Sequence, residues 1–358
     1  MLNKKAGIIA LLIGAALGAS MTAQASVING GTIVPAITAG DPNGTPPDSP
    51  ANHADPNTSA SPFSGVVSIN IRYSGQSYIC SGSMLSSRQV LTAGHCVDTD
   101  GNGHVIDLNA PGNDVRVVFN SNGTFNGLIN ATHVDMHPDY AGFGNCPPGV
   151  DSFCVNDDLA VLTLASDAPA GTKTYGIWTP ELDSGQLVTM AGYGTSGDGV
   201  NGYYVSPSFF VKRTGQNYMD LFDLDDEQNF AGGSKEVWYG DMDGNGQDAF
   251  CDFFGVCTPI LANDHESGIG GGDSGGPSFI MTASGEYLLV ANNTFSGWFD
   301  DAQIRGSFGT YFGGILLSSY MDWLIRVTNG RLTAVPEPGS LALLGLGLLA
   351  LRRRRQTV

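Results

Sequence analysis

A serine set between glycines, Gly272-Asp273-Ser274-Gly275-Gly276-Pro277, is the residue of this chain best suited to nucleophilic chemistry. Glycines on both sides let a tight turn expose the hydroxyl and converge backbone N–H groups on one point, which an acyl-transfer nucleophile and its oxyanion require. Such a serine needs a base, and six histidines compete for the role: His53, His95, His104, His133, His137 and His265. His95 ends an apolar run, Leu91-Thr92-Ala93-Gly94-His95-Cys96, where the next cysteine can lock the loop that holds it. A carboxylate to orient the imidazole is offered by Asp157 and Asp158, directly before Leu159-Ala160-Val161-Leu162. His133 and His137 are read as structural.

Two acidic stretches suit a hard cation instead. Asp241-Met242-Asp243-Gly244-Asn245-Gly246, continuing to Asp252, has the oxygen-ligand spacing of a calcium loop and predicts a structural calcium on Asp241, Asp243, Asn245 and Asp252. Asp98-Thr99-Asp100-Gly101-Asn102-Gly103, ending at Asn109, is a second and poorer copy. The chain has 34 acidic against 16 basic residues, net −18, and Lys4, Lys5 and Arg352 to Arg355 lie at its extreme ends. A body that acidic repels phosphate backbones, which argues against nucleic-acid binding.

The elements that must hold these residues are short strands. Gly supplies 50 of 358 residues, charged residues are only 14%, and no heptad or helical repeat runs through the chain, which argues against a coiled coil or helical bundle. Val67, Ile69 and Ile71 alternate with Ser68, Asn70 and Arg72, the period of a strand. Further short runs at 89–93, 115–119, 159–164, 187–191, 209–212 and 287–291, each flanked by Gly, Asn, Asp or Pro, predict a β-sandwich or barrels and not a parallel α/β sheet. Leu317, Tyr320, Leu324 and Val327, with Trp323 beside them, predict one helix near the end.

Both termini read as addresses. Residues 1–25 have a basic start, a short apolar stretch and Ala23-Gln24-Ala25, the marks of a secretory signal cleaved after Ala25. Residues 26–62, rich in Pro, Asn and Ser, predict an extended, poorly packed lead-in. Val335-Pro336-Glu337-Pro338, an apolar stretch from Leu341 to Leu351 and four arginines read as a short helix stopped by charge, in transient contact with a membrane. Six cysteines in an exported chain point to disulfides. Spacing groups Cys146 with Cys154 and Cys251 with Cys257, leaving Cys80 for Cys96. Zinc is disfavoured, with no Cys-x-x-Cys and no paired His.

The Ser274 turn alone also matches the nucleophile elbow of α/β-hydrolases, but those enzymes place the catalytic His after the Ser, and the last histidine here is His265. The order His95, Asp158, Ser274 resembles the chymotrypsin and trypsin family of serine peptidases, with its Thr-Ala-x-His-Cys, its Asp before an apolar strand and its Gly-Asp-Ser-Gly-Gly-Pro. His137-Pro138-Asp139-Tyr140, Gly192-Tyr193-Gly194, Gly309-Thr310-Tyr311 and Asp322-Trp323 extend the likeness over about residues 63–328. The resemblance implies an all-β peptidase domain over 63–330, two packed antiparallel β-barrels with a C-terminal helix. Ser274 would be the nucleophile, His95 the base and Asp158 its orienting partner, with the N–H groups of Gly272 and Ser274 holding the oxyanion. Gly268 and Ile269 would lie at the floor of the specificity pocket, and Thr294-Phe295-Ser296 would pair with substrate. The absence of a carboxylate at Gly268 implies preference for apolar or small side chains over Lys or Arg. The activity implied is that of a serine endopeptidase acting on proteins or peptides with no cofactor required for catalysis. Relatives matured by cleavage bury a new ammonium against the Asp before the nucleophile, here Asp273, and Ile28-Asn29-Gly30-Gly31 faintly resembles the start of their mature chains. The tail, 335–358, is similar to the PEP-CTERM sorting signal of Gram-negative bacteria, which implies an exosortase-type partner and delivery to the cell surface or beyond. Two rival functions fit the same residues: a surface binding protein without turnover, and an esterase using the same triad.

Overall fold

The computed structural model describes residues 26–27, 37–150 and 152–336. The secretory signal, Ile28 to Gly31 and the tail from residue 337 onward lie outside the described residues. The first sheet comprises β1 (Ser26–Val27), β2 (Val66–Tyr73), β3 (Gln76–Met84), β4 (Gln89–Thr92), β5 (Asp114–Phe119), β6 (Gly127–Met136) and β7 (Ala160–Leu164). Its order is β1-β3-β2-β5-β6-β7-β4, and pairing of β3 with β4 closes six of these strands into a barrel. The period-2 pattern of β2 explains its seat: Val67, Ile69 and Ile71 point into the barrel core with Val90, Val117 and Leu162.

The rest of the chain supplies β8 (Ile177–Trp178), β9 (Gln186–Gly192), a small hairpin of β10 (Ser196–Asp198) and β11 (Gly202–Val205), then β12 (Arg213–Met219), β13 (Leu221–Leu224), β14 (Lys235–Asp241), β15 (Pro277–Met281), β16 (Tyr287–Gly297), β17 (Tyr311–Leu316) and β18 (Ala334–Val335). The second sheet runs β12-β9-β15-β16-β17-β14-β13 and curls until Asn217 on β12 donates to the Asp241 carbonyl on β14 at 2.9 Å. An apolar seam lies between the two sheets, where Val66, Leu91 and Val161 of the first meet Tyr193, Phe279 and Phe295 of the second. Near its end the chain makes a 3-10 turn (Leu317–Tyr320) and a helix (Met321–Val327), with Leu317, Tyr320, Trp323 and Leu324 buried in that seam, as their spacing predicts.

Three expectations are corrected. Residues 209–212 form no strand: the Phe209 carbonyl is taken by the side chains of Ser68 (2.9 Å) and Asn120 (2.7 Å), Phe210 and Val211 face solvent, and β12 begins at Arg213. The lead-in, where described, is packed. Asp55 pairs with the buried Lys212 at 3.3 Å, and His53 bridges Asp48 at 2.6 Å and the Thr214 carbonyl at 2.8 Å. Polar residues with few apolar neighbours pack here because side chains satisfy the backbone and one another. A short helix, α1 (Ala249–Phe254), capped by Asp248 accepting from the Cys251 N–H, occupies the end of the proposed calcium loop. Three disulfides form, Cys80–Cys96, Cys146–Cys154 and Cys251–Cys257, in the grouping spacing suggested. Among the described residues no helix is long and apolar enough to cross a membrane.

Candidate active site

His95 lies on a single 3-10 turn (Gly94–Cys96) that follows β4, and Asp158 stands just before β7, the strand paired with β4. That pairing brings the two together. Asp158 is fully buried and gives both oxygens to one residue: Oδ1 accepts the His95 backbone N–H at 2.7 Å, and Oδ2 meets His95 Nδ1 at 2.6 Å. With Nδ1 engaged by Asp158, Nε2 is the imidazole nitrogen through which a base would act. Asp157 turns the other way, in a left-handed conformation (φ +62°), with its carboxylate 3.2 Å from His137 Nδ1. His137 is wedged against the Tyr320 and Trp323 rings, while His133 is exposed beside Asp135.

Ser274 comes from the other sheet, on the turn before β15. Its carbonyl accepts from the Ser81 N–H on β3 at 2.8 Å and lies 3.8 Å from Cys96 Sγ, which is itself 3.9 Å from His95 Nε2. Ser81, which no sequence signal marks, also donates its hydroxyl to the Gly272 carbonyl at 2.8 Å. Within the turn Asp273, Gly275 and Gly276 donate their N–H groups to backbone carbonyls. Among the described residues the N–H groups of Gly272 and Ser274 donate to no protein acceptor. No hydrogen bond joins Ser274 Oγ to His95 Nε2 among the described residues; such contacts are often long before substrate binds. Gly275 cannot be another residue without strain: its φ is +77°, and a Cβ there would stand 2.2 Å from Thr92 Oγ1.

Of the residues expected to contact substrate, Gly268, Ile269, Thr294 and Phe295 are buried and Ser296 is half-exposed. Thr294 to Gly297 continue β16: Thr294 falls in a register shift, Phe295 to Gly297 pair with β17 on one side, and the pairing with β15 on the other stops at Asn292. Tyr311 lies across Gly297, where a Cβ would be 2.3 Å from its hydroxyl, and the Phe299 ring packs on Tyr311 at 4.9 Å.

Asp273 is fully buried against Gly194 N–H (3.2 Å) and Gly270 N–H (3.3 Å), and burial pushes its carboxyl up to about 7. The chain segment that reaches it is Ile37, whose N–H is directed at the carboxylate and whose side chain is buried. The Thr38 N–H then donates to the Gly268 carbonyl at 3.1 Å, and the Gly268 N–H donates to Thr38 Oγ1 at 2.8 Å.

The calcium ligand set is not assembled as its spacing predicted. Asn245 donates to Asp41 at 3.0 Å, and Asp252 is exposed on α1. Asp248 instead joins Asp241 and Asp243, with one oxygen from each within 4.8 Å of the others. The Asp98 copy closes on itself, its carboxylate accepting from the N–H groups of Asp100, Gly101 and Gly103.

A mostly β protein with a closed barrel, a second curled sheet and a histidine–carboxylate pair facing a glycine-framed serine across their seam is the class these features define. Comparison with known proteins narrows it: residues 52–209 match the Trypsin family model and residues 334–356 the PEP-CTERM protein-sorting motif, so the chain resembles trypsin-like serine proteases and carries an export-associated sorting signal. The first match includes His95 and Asp158 and ends before Ser274. Brachyurin of Leptuca pugilator is 28% identical over 127 residues, 35% of this chain and 49% of that protein. Venom serine protease Bi-VSP of Bombus ignitus is 30% identical over 105 residues, 29% of this chain and 25% of that protein. The chain thus spans about half the length of the first and a quarter of the second. The solved structure of HL collagenase covers 75% of this chain and 94% of its own at 16% identity, with a TM-score of 0.43.

Proposed function

We propose that the protein is an exported serine endopeptidase that cleaves peptide bonds through a Ser274 acyl-enzyme. The observation that carries this reading is the two-oxygen grip of Asp158 on His95, opposite a serine turn whose Gly272 and Ser274 N–H groups are uncommitted. Ser274 Oγ attacks the scissile carbonyl as His95 Nε2 takes its proton. The two N–H groups receive the oxyanion, and His95 then protonates the leaving amine; water repeats the sequence to release the acid. The unpaired edge of Thr294 to Gly297 supports an extended peptide as substrate over a simple ester, because a strand edge offers main-chain hydrogen bonds along its length. Preference for apolar or small side chains is supported by Gly268 and Ile269 in place of a carboxylate and by the aromatic pair Tyr311 and Phe299 beside Gly297.

The test is covalent labelling by a fluorophosphonate, comparing the wild type with Ser274→Ala and His95→Ala, followed by hydrolysis of matched peptide and ester substrates. Labelling of the wild type alone is expected. No labelling, before or after N-terminal trimming, would shift the reading to a surface binding protein. The PEP-CTERM match supports processing by an exosortase-type enzyme and display at a Gram-negative cell surface. The seat of Ile37 supports maturation by cleavage of the Ala36–Ile37 bond, which would bring a new ammonium to Asp273.

A further inference from the structure

Two residues before Asp158, Asn156 ties the catalytic segment to carboxylates that the proposed chemistry does not use. Its amide donates to Glu236 Oε2 at 2.8 Å and to the Leu224 carbonyl at 3.2 Å. Asp225, Asp226 and Glu227, from the connection between β13 and β14, join Glu236 of β14 so that one oxygen from each lies within 4.8 Å of the others. Asp157 adds its negative charge beside them. No Lys or Arg pairs with any of the four among the described residues; Lys235 turns its Nζ to Glu181 at 2.9 Å and Asp183 at 3.3 Å. Like charges this close repel, and burial strengthens the repulsion.

The decisive residue is Asp226. It is 2% exposed, its carboxylate accepts no hydrogen bond among the described residues, and its Oδ1 is buried without a partner. A buried acceptor with no donor costs stability that native structures rarely leave uncompensated. Glu227 is exposed and Asp225 half-buried, so the group opens to solvent on one side. A set made only of oxygens, several of them anionic, matches hard divalent cations, and its adaptable loop suits calcium better than the strict octahedron of magnesium.

We propose that Asp225, Asp226, Glu227 and Glu236 bind a calcium-type divalent cation, and that occupancy fixes the Asn156 to Asp158 segment presenting Asp158 to His95. The effect on turnover rests on the proposed triad; the binding does not. The experiment is calorimetric titration of the chelator-stripped full-length protein with calcium chloride, comparing the wild type with Asp226→Asn/Glu236→Gln and with Glu227→Gln. Because the readout is the difference from wild type, any ion on the separate Asp241, Asp243 and Asp248 group cancels. The double variant is expected to bind one ion fewer per chain. Glu227→Gln, an isosteric change at an exposed position, is expected to weaken that ion about tenfold, ~1.4 kcal/mol. Chelation is expected to lower kcat more than it raises KM in the wild type trimmed to Ile37, since a displaced Asp158 impairs chemistry before binding. Equal stoichiometry and affinity in wild type and Glu227→Gln would overturn the site even if the double variant fails to fold. Calcium binding as expected in a protein that no fluorophosphonate labels, before or after trimming to Ile37, would leave the site standing and refute the peptidase reading instead.

Discussion

Asp158 serves His95 with both oxygens, and an amide in its place could accept only one of those two hydrogen bonds. Asp158→Asn is therefore expected to lower kcat by about 10⁴ with KM little changed, because the imidazole would settle in the wrong tautomer. Steady-state kinetics on a peptide substrate checks this, and Asp157→Asn is the control that should retain fluorophosphonate labelling. From residue types alone the two aspartates were equivalent, and the choice came from the family pattern. The physical difference is backbone conformation: Asp157 sits at positive φ and turns to His137, which a linear sequence does not display. Ser81 was equally hidden, since a serine in a strand carries no mark of the distant carbonyl it will meet. Gly275 was legible as a glycine but not as a contact. Gly275→Ala is expected to destabilise the protein by about 1–3 kcal/mol from backbone strain and to abolish labelling as Thr92 is displaced, measured by denaturant unfolding and probe incorporation.

Strands with one apolar face were the most readable elements, because alternation survives wherever one side meets a core; β2 is the clear instance. The run at 209–212 failed for the converse reason: its carbonyl found side-chain donors in place of a ladder. Helix α1 was masked by the glycines and aspartates of the loop that caps it. The seat of Ile37 escaped notice because nothing in Pro35-Ala36-Ile37 announces a buried carboxylate more than two hundred residues away. That seat has two consequences. N-terminal sequencing of the active form is expected to begin at Ile37. In the uncut chain Asp273 has its proton affinity raised by burial, from an unfolded value near 4 to about 7. The folded state then holds the extra proton between those values, so this group stabilises below about pH 4, and its contribution is lost as pH rises toward 7, with a slope of up to ~1.4 kcal/mol per pH unit. Thermal melts of uncut Ser274→Ala across that range should show the fall, and the same protein cut before Ile37 should not, because an ammonium at Asp273 keeps it ionised.

Across the whole molecule the site belongs to neither sheet alone: His95 and Asp158 come from the closed barrel and Ser274 from the curled sheet, and the Ser81 contacts to Ser274 and Gly272 cross the seam between them. A β-sandwich or barrels and a terminal helix were foreseeable from short, turn-bounded apolar runs, and the two-barrel arrangement came from the family resemblance. How the sheets face each other was not, because the seam is built from residues far apart in sequence: the Tyr193 hydroxyl donates to the Val66 carbonyl at 3.2 Å, and Leu91 and Phe279 share one buried cluster. This division makes the Cys80–Cys96 disulfide a test of coupling between the sheets. It closes a loop of 16 residues' separation wholly within the first barrel, yet Cys96 touches both His95 and the Ser274 carbonyl. Cys80→Ser/Cys96→Ser is expected to lose about 3 kcal/mol through the gained freedom of the unfolded chain, which lowers Tm by roughly 6–12 °C for a domain of this size. If the seam holds the site as its contacts indicate, labelling of Ser274 should fall in the folded double variant at a temperature well below its Tm, since His95 and the serine turn lose the sulfur packed between them. Labelling that persists unchanged until the protein melts would instead mean that Ser81 alone aligns the serine with its base, and that the disulfide acts only on the unfolded chain.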